Sequence, residues 1–394
     1  MDLGMLLAET SGYVLPNEKE LQWSVLIVLY PYLTGLVAGA FILASLVRVF
    51  NSKPVAPVYR LALLTALAFL ICAPMPLIGH LGHPERAFQI MATPHLSSAM
   101  AMFGFVYAWY LMAVLLLEIY FDYRKEMVAW AQSSRGLKRL LYTVLTLGVM
   151  DTSEKAVRFD DRAGRFITII GIPSAALLHG YVGFIFGSVK GNPWWSSVLM
   201  PLIFLLSAIV SGIAAVLVIY MAINWYRRQP HDMKCLNAIG RYLMFALIFD
   251  LSLEALDVVH RMYEAGEWFE ILGLLGSGYL YYTIFGIQFF LGGIFPLVNL
   301  ALAQFLKASD ATRQRVYFFS GLLVLIGVLC MRWNVVIGGQ LFSKSLQGLT
   351  TYRLELVGGE GALVAIGVLF LPLAILFVLA KILPPWKAHE EARA

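Results

Sequence analysis

Nine runs of mostly apolar residues, joined by short polar connections, make up most of this chain: about 23–48, 58–80, 97–122, 164–187, 197–226, 237–260, 277–306, 316–341 and 361–383. Each is long enough to cross ~30 Å of hydrocarbon as an α-helix. The run Leu137–Met150 is too short to span. With Lys138 and Arg139 at its start, it reads as an interfacial helix in a long loop. The pattern predicts an all-α integral membrane protein with about nine (nine to ten) transmembrane helices.

Composition agrees. Hydrophobic residues are 60% of the chain, charged residues 13%, and the mean hydropathy is +0.77, outside soluble globular usage. The net charge of +5 is spread over short loops rather than gathered on one face, so no nucleic-acid partner is expected. The three cysteines, Cys72, Cys235 and Cys330, are far apart and form no CxxC pair. That excludes a disulfide framework and a cysteine-ligated iron–sulfur cluster or zinc site within the chain. Met1 to Trp23 lacks a basic segment followed by an apolar one, so the first membrane helix is expected to direct insertion.

Basic residues orient the chain. Of the 29 lysines and arginines, 22 fall on one set of loops, including nine between Arg124 and Arg165. Six fall on the other side, and Arg332 is left inside the membrane. The positive-inside rule makes the first set cytoplasmic. In a bacterial cytoplasmic (inner) membrane, the N-terminus is then periplasmic and the C-terminus cytoplasmic.

A weak internal repeat is visible. The first run has small residues through Gly35 and Gly39, the fifth through Ser207, Ser211 and Gly212, and such residues allow close helix approach. The second run ends in His80, His83 and Arg86, the sixth in His260 and Arg261; the fourth and eighth place His179 and Arg332 at similar depth. Any two membrane helices share Gly and Leu, so chance likeness stands beside the repeat. If real, it gives two four-helix bundles and an extra C-terminal helix. The divisions are a periplasmic segment 1–22, a first bundle 23–187 with a cytoplasmic loop 123–163, a second bundle 188–341, and a last helix and tail 342–394.

Charge within the apolar runs is the chemical signal. Asp250, Glu254 and Asp257 sit at i, i+4 and i+7 of the sixth run, one helical stripe that Arg261 continues outward. Arg332, in the eighth run, lies level with Glu254, both ~25 Å from the basic end at 1.5 Å per residue. An ionised side chain near the bilayer centre costs roughly 2.5–3.5 kcal/mol on insertion scales. Such groups are paired or used. A structural ion pair would need one acid, yet three are present. His179 lies about nine residues before its run ends, and an imidazole suits proton exchange with a hydroquinone hydroxyl as well as simple packing. Three histidines, His80, His83 and His95, lie within 16 residues, but no metal site is expected without nearby cysteine and across a Pro-Glu-Arg turn. Only His179 of the seven histidines is clearly inside a span, so bis-histidine haem is not expected either. Trp194 and Trp195 read as an interfacial belt. Tyr30 fits a belt as well as a ring-binding pocket.

Several segments in order resemble the NrfD/PsrC (polysulfide reductase-type) family of quinone-interacting membrane subunits. They are Gly35 and Gly39; Gly82-His83-Pro84-Glu85-Arg86; Leu178-His179; Pro193, Trp195 and Pro201; Glu254; Phe285-x-Ile-Gln288 before Phe295-Pro-Leu297; and Arg332-Trp-Asn334. The likeness runs from about 23 to 385 and is nearest to the longer branch that includes DsrP of the DsrMKJOP sulfur-metabolism complex and HybB of hydrogenase. The resemblance implies two four-helix bundles and a quinone pocket near the outer surface. It also implies a periplasmic ferredoxin-like iron–sulfur partner and other membrane and cytochrome subunits, with membrane lipid around the chain.

The resemblance carries His179, Glu254 and Arg332 to the polar centre. His80 stands where an acid is usual and Gln288 where Glu is frequent. The expected catalytic groups are His179, Glu254 and His80. The expected quinone contacts are Tyr30, His83, His179, Asp257, Arg332 and Asn334, and the proton route is Asp250, Glu254 and Gln288. The cofactor is menaquinone or ubiquinone, with no haem or iron–sulfur cluster in this chain. The expected role is electron exchange between the quinone pool and the iron–sulfur partner, as one subunit of an oxidoreductase complex in dissimilatory sulfur metabolism. A redox-linked proton pump, a hydrogenase membrane subunit, a secondary transporter and a structural anchor remain alternatives.

Overall fold

In the computed structural model, which describes residues 11–18, 20–93, 95, 97–98, 109–264 and 268–386, apolar length becomes helix almost wherever the sequence has it. Seven helical segments among the described residues are long and apolar enough to cross a membrane: Val25–Arg48, Lys53–His80, Glu154–Gly187, Met200–Tyr226, Tyr282–Phe305, Asp310–Leu341 and Ala362–Ile382. The chain is an all-α, multi-pass membrane protein. We name the helices α1 (Val25–Arg48), α2 (Tyr59–Cys72), α3 (Met75–His80), α4 (Leu116–Ser133), α5 (Leu137–Leu145), α6 (Glu154–Gly187), α7 (Met200–Tyr226), α8 (Met233–Glu264), α9 (Trp268–Ser277), α10 (Phe295–Phe305), α11 (Asp310–Trp333) and α12 (Ala362–Ile382).

Three differences from the apolar pattern have physical reasons. Helix α8 is 32 residues long but carries the Asp250–Arg261 stripe, so it is a long helix without a clean apolar window. The run expected at 97–122 falls partly outside the described residues; its remainder is a π-helical turn at Tyr110–Leu115 leading into α4. Helix α6 begins ten residues before its apolar run because Ser153 caps Glu154–Gly187, its hydroxyl accepting from Ala156 N at 3.4 Å. Helix α5 has nine residues, too few to cross, and leaves Leu137, Leu140 and Val144 exposed.

Helix α1 is the most buried of the set and packs on α2, α6, α7 and α11, while α7 packs on α1, α6, α8 and α11. At the α1–α7 crossing, a Cβ on Gly39 would overlap the Ala208 carbonyl, and one on Gly212 would overlap the Gly39 backbone. Only glycine lets these two helices touch this closely. The π-helical stretch Tyr282–Ile294 before α10 crosses α11 in the same way, Gly292 against Gly327.

Two ends can be told apart. At the basic end, Asp122 on α4 is held by Arg48 Nη1 at 2.9 Å and by Arg60 Nε at 2.8 Å, and Arg60 also reaches Glu126 at 2.8 Å. Arg124 and Asp160 pair at 2.6 Å nearby. At the opposite end, a two-residue strand β1 (Ser11–Gly12) pairs antiparallel with β2 (Gly348–Leu349). Glu18 accepts from Ser343 Oγ at 2.6 Å, and Trp23 stacks on Trp195 at 5.2 Å. These contacts tie the segment before α1 onto the connection before α12.

Candidate functional site

Near that opposite end, α8, α9, α11 and the π-helical stretch before α10 part around a cleft of about 730 Å³, counted with its open mouth. Its walls are largely apolar and aromatic, with Trp194, Trp268, Phe285 and Phe289 among them. Five polar side chains reach it: Glu254, Asp257, Arg261, Gln288 and Asn334.

Backbone irregularity places those polar groups. Residues Asn334–Gly338 continue α11 as a π-helix, and such a bulge releases carbonyls from the regular ladder. Two indoles and an amide take them up. Trp194 Nε1 donates to Asn334 O at 2.9 Å, Trp195 Nε1 to Val335 O at 2.6 Å, and Asn192 Nδ2 to Gly339 O at 2.8 Å. A Cβ at Gly339 would strike the Trp195 indole, so glycine is needed where the tryptophan docks. The sequence pattern alone makes both tryptophans a lipid-facing belt. In the structure Trp195 is buried and Trp194 lines the cleft.

The acidic stripe on α8 behaves as its spacing predicts. Asp250, Glu254 and Asp257 are all buried, and Arg261 continues the stripe. Asp257 is saturated, since Arg261 Nε donates to it at 2.7 Å and Ser197 Oγ donates a short hydrogen bond to its other oxygen. Arg261 is fixed in turn by the carbonyls of Pro193 at 2.8 Å and Trp194 at 3.2 Å. Glu254 is treated differently. It accepts from Gln288 Nε2 at 3.2 Å, and Gln288 Oε1 accepts from Asn334 Nδ2 at 2.8 Å. This amide chain leaves Asn334 Oδ1 buried with no hydrogen-bond donor among the described residues. Asn334 and Glu254 thus stand side by side in the cleft wall, linked through Gln288.

His179 and Arg332 lie elsewhere. Both are completely buried where α1, α6, α7 and α11 meet, and neither lines the cleft. Arg332 was expected to face the acids. It is near enough to Asp250 and Glu254 to interact with both through space, but its hydrogen bonds go to His179 Nε2 at 2.9 Å, Ser207 Oγ at 2.7 Å and Phe204 O at 3.3 Å. Its guanidinium lies over the Phe204 ring at 4.0 Å. A guanidinium has only donors, so His179 Nε2 accepts. The imidazole is therefore neutral, with its proton on Nδ1, 3.5 Å from Thr34 Oγ1. Thr34 Oγ1 in turn donates to Tyr30 O at 3.0 Å.

The remaining expected residues are scattered. Tyr30 is buried in α1, outside the cleft lining. His80 pairs with Glu360 at 2.9 Å, and His83 is largely exposed beside Glu85 at 3.1 Å. The structure brings together Glu254, Asp257, Gln288 and Asn334, with Asp250 one helical turn behind. Trp268, Phe289 and Met331 are lining residues that the sequence reading did not single out.

A second, smaller chamber of about 290 Å³ lies behind the cleft, against Ser207, Asp250, Gly292 and Gly327. Glu254, Gln288 and Met331 belong to the walls of both.

Comparison with known proteins adds relatives to this geometry. The family model described as Polysulphide reductase, NrfD matches residues 14–344. The chain is 31% identical over 326 residues to a selenate reductase subunit of Mesobacillus selenatarsenatis, covering 80% of this chain and 73% of that protein. It is 26% identical over 342 residues to protein NrfD of Escherichia coli, covering 85% and 99%. It is 25% identical over 342 residues to the Hdr-like menaquinol oxidoreductase integral membrane subunit of Archaeoglobus fulgidus, covering 84% and 74%.

Proposed function

The chain belongs to the polysulphide reductase NrfD family, and from that premise we propose that it is the quinone-interacting membrane subunit of a reductase-type complex, with the cleft as its headgroup site. The observation that carries this reading is the cleft itself: aromatic walls, the Asn334 amide and the Glu254 carboxyl line one space. An aromatic headgroup needs apolar faces for its ring and a few placed polar groups for its oxygens. A menaquinol oxidoreductase subunit among the relatives supports the same ligand class, with menaquinone favoured over ubiquinone.

The residues divide the work by position. Asn334 Oδ1 accepts from one hydroxyl of the reduced headgroup. Glu254 takes a proton there, its carboxyl oriented by Gln288. Asp257 and Arg261 neutralise each other and shape the mouth between α8 and the 188–199 connection. The neutral His179 acts from behind, holding Arg332 in place rather than exchanging protons with the ligand. His80, His83 and Tyr30 take no part in this arrangement.

The basic end faces the cytoplasm in this reading, since 22 of 29 basic residues lie there. The cleft then opens toward the periplasmic side of a bacterial inner membrane, where an iron–sulfur partner docks and takes or gives the electrons. Nine membrane crossings in two four-helix bundles, with α12 outside both, fit the packing of α1 and α7 at the centre. The likeness to the DsrP branch points to dissimilatory sulfur metabolism as the setting.

Tryptophan fluorescence tests the reading, because Trp194 and Trp268 face the cleft. A short-chain menaquinone analogue added to the purified protein is expected to quench emission saturably. Asn334→Leu should weaken that response. An unsaturable response, the same in wild type and Asn334→Leu, would overturn the assignment.

A further inference from the structure

The inner chamber has a composition that headgroup binding alone does not require. Asp250 is buried, and its Oδ1 has no hydrogen-bond partner among the described residues. It lines a chamber with room for about one ordered water. On the cleft side of that chamber stands Glu254, one helical turn along the same face of α8, which also lines the open cleft. On the far side stands Ser207, whose hydroxyl accepts from Arg332 at 2.7 Å. Glu254 is therefore a wall with two faces, one toward the cleft and one toward a smaller space that a second carboxyl also lines.

Charge counting says what the space holds. Five ionisable side chains bear on it from the elements around it: Asp250, Glu254 and Asp257 with Arg261 on α8, and Arg332 on α11. His179 on α6 is neutral by its hydrogen bond to Arg332. Asp257 and Arg261 cancel as a contact pair. Two carboxyls then share one guanidinium, which leaves one negative charge too many in a dry interior, where like charges one turn apart disfavour double ionisation.

We propose that the chamber is a one-proton store, in which Asp250 and Glu254 hold a single proton between them and exchange it through a chamber water. At rest the shared proton sits on Glu254 or on Asp250. The Glu254 O–H bond breaks toward the water as the water passes one of its own protons to Asp250. No electron moves in this step, and the total charge of the chamber is unchanged by the internal transfer. A metal cation is the poorer occupant. The chamber is small, its polar side chains are few, and the Arg332 guanidinium directly behind Ser207 repels positive charge. The store deepens the headgroup reading, on which it rests: moving the resting proton to Asp250 leaves Glu254 ionised and ready to accept a proton from the cleft.

Infrared spectroscopy of the purified protein near neutral pH reads the store without any quinone. Wild type is expected to show a protonated-carboxyl C=O band that moves in D₂O, shifts in Asp250→Asn and disappears in the Asp250→Asn, Glu254→Gln double variant. In the intact complex, Asp250→Asn should bind the menaquinone analogue within about twofold of wild type yet lose at least about tenfold in quinol-driven turnover. Asp250→Glu should restore much of that rate. A band unaffected by the double variant would overturn the store, as would wild-type turnover in Asp250→Asn or turnover that needs sodium ions. Because the band is measured without ligand, it can persist even if the analogue fails to bind, so the two readings fail separately.

Discussion

Two clusters of buried charge, one in each half of the molecule, are built on opposite rules. In the first half Asp122 is clasped by Arg48 and Arg60, Arg60 also holds Glu126, and Arg124 holds Asp160, all between 2.6 and 2.9 Å. Each of those carboxylates has a guanidinium against it; the buried Glu118 beside them is the exception, accepting from Tyr59 at 3.3 Å with its Oε2 unpartnered among the described residues. In the second half, among the described residues of the α8 stripe, only Asp257 is paired that way. Glu254 meets an amide, Asp250 keeps an oxygen without a partner, and Arg332 binds an imidazole and a hydroxyl. Saturated charge locks helices together. Charge left incompletely satisfied beside empty space keeps a free energy that a ligand or a proton can collect.

The contrast predicts opposite outcomes for removing one carboxylate from each cluster. Asp122→Ala leaves two mostly buried arginines facing each other, and breaking a buried pair in this way costs about 3–5 kcal/mol. The variant is expected to lose its cooperative thermal transition, or to show it at much lower temperature, when followed by circular dichroism in detergent. Normal thermal stability of Asp122→Ala would erase the distinction between the clusters. Glu254→Gln should do the reverse. It keeps the shape, removes a buried charge and leaves an oxygen to accept from Gln288, so stability stays within about 1 kcal/mol. Quinol-driven turnover by the complex should fall by about 100-fold, the usual cost of losing a proton acceptor. A Glu254→Gln protein that unfolds would place Glu254 with Asp122 as a structural charge.

The same contrast explains what was legible in the sequence. Apolar length predicted seven spans that the described residues show, because in lipid a run of some twenty apolar residues has no other stable form. The stripe of Asp250, Glu254, Asp257 and Arg261 was legible from helical spacing alone, and these side chains do share one buried face. Direction across helices was not. Equal depth makes Arg332 look like the partner of that stripe, but depth fixes height along a helix and not rotation about it. Its rotation turns it toward His179 and Ser207. The Trp194 and Trp195 roles depend on the π-helical bulge at Asn334–Gly338, whose carbonyls they cap, and no residue type announces such a bulge. Arg48 and Arg60 count in the sequence only as orienting charges; their burial against α4 is a tertiary fact.

Asn334 sharpens the comparison within the cleft. Its amide donates to Gln288 and its oxygen is left for a ligand. Asn334→Leu removes that acceptor and fills the same volume with an apolar group. One lost hydrogen bond is worth about 1 kcal/mol, so the menaquinone analogue should bind about fivefold to tenfold more weakly in a quenching titration. Gln288, released from Asn334, would orient Glu254 less well, so turnover should fall along with affinity. Unchanged affinity would move the ligand away from the α11 wall and toward Trp268.

The smallest effect belongs to a pair at the opposite end, outside the spans. Glu360 precedes α12 and meets His80 at 2.9 Å, with 40% of its side chain exposed. Partial burial pushes its carboxyl up, but hydrogen bonds from Ser24 and His80, with the charge of a protonated His80, outweigh that and hold it below the ordinary value. A depressed carboxyl stabilises the fold above the pKa it has in the unfolded chain, and that contribution is lost as pH falls through its lowered folded value. The tie between α3, the start of α1 and the connection before α12 should therefore loosen only on acidification below about pH 4, the usual carboxylate range. Solvent screening limits its worth to well under about 1 kcal/mol. Limited proteolysis of the 342–361 connection should show faster cleavage in Glu360→Gln than in wild type at pH 7, and equal rates at strongly acidic pH. Equal rates at both pH values would mean that even a charge pair joining three elements contributes nothing once water reaches it. That outcome would confine the energetic argument to the buried clusters, where a partner or its absence decides between holding a helix and serving a ligand.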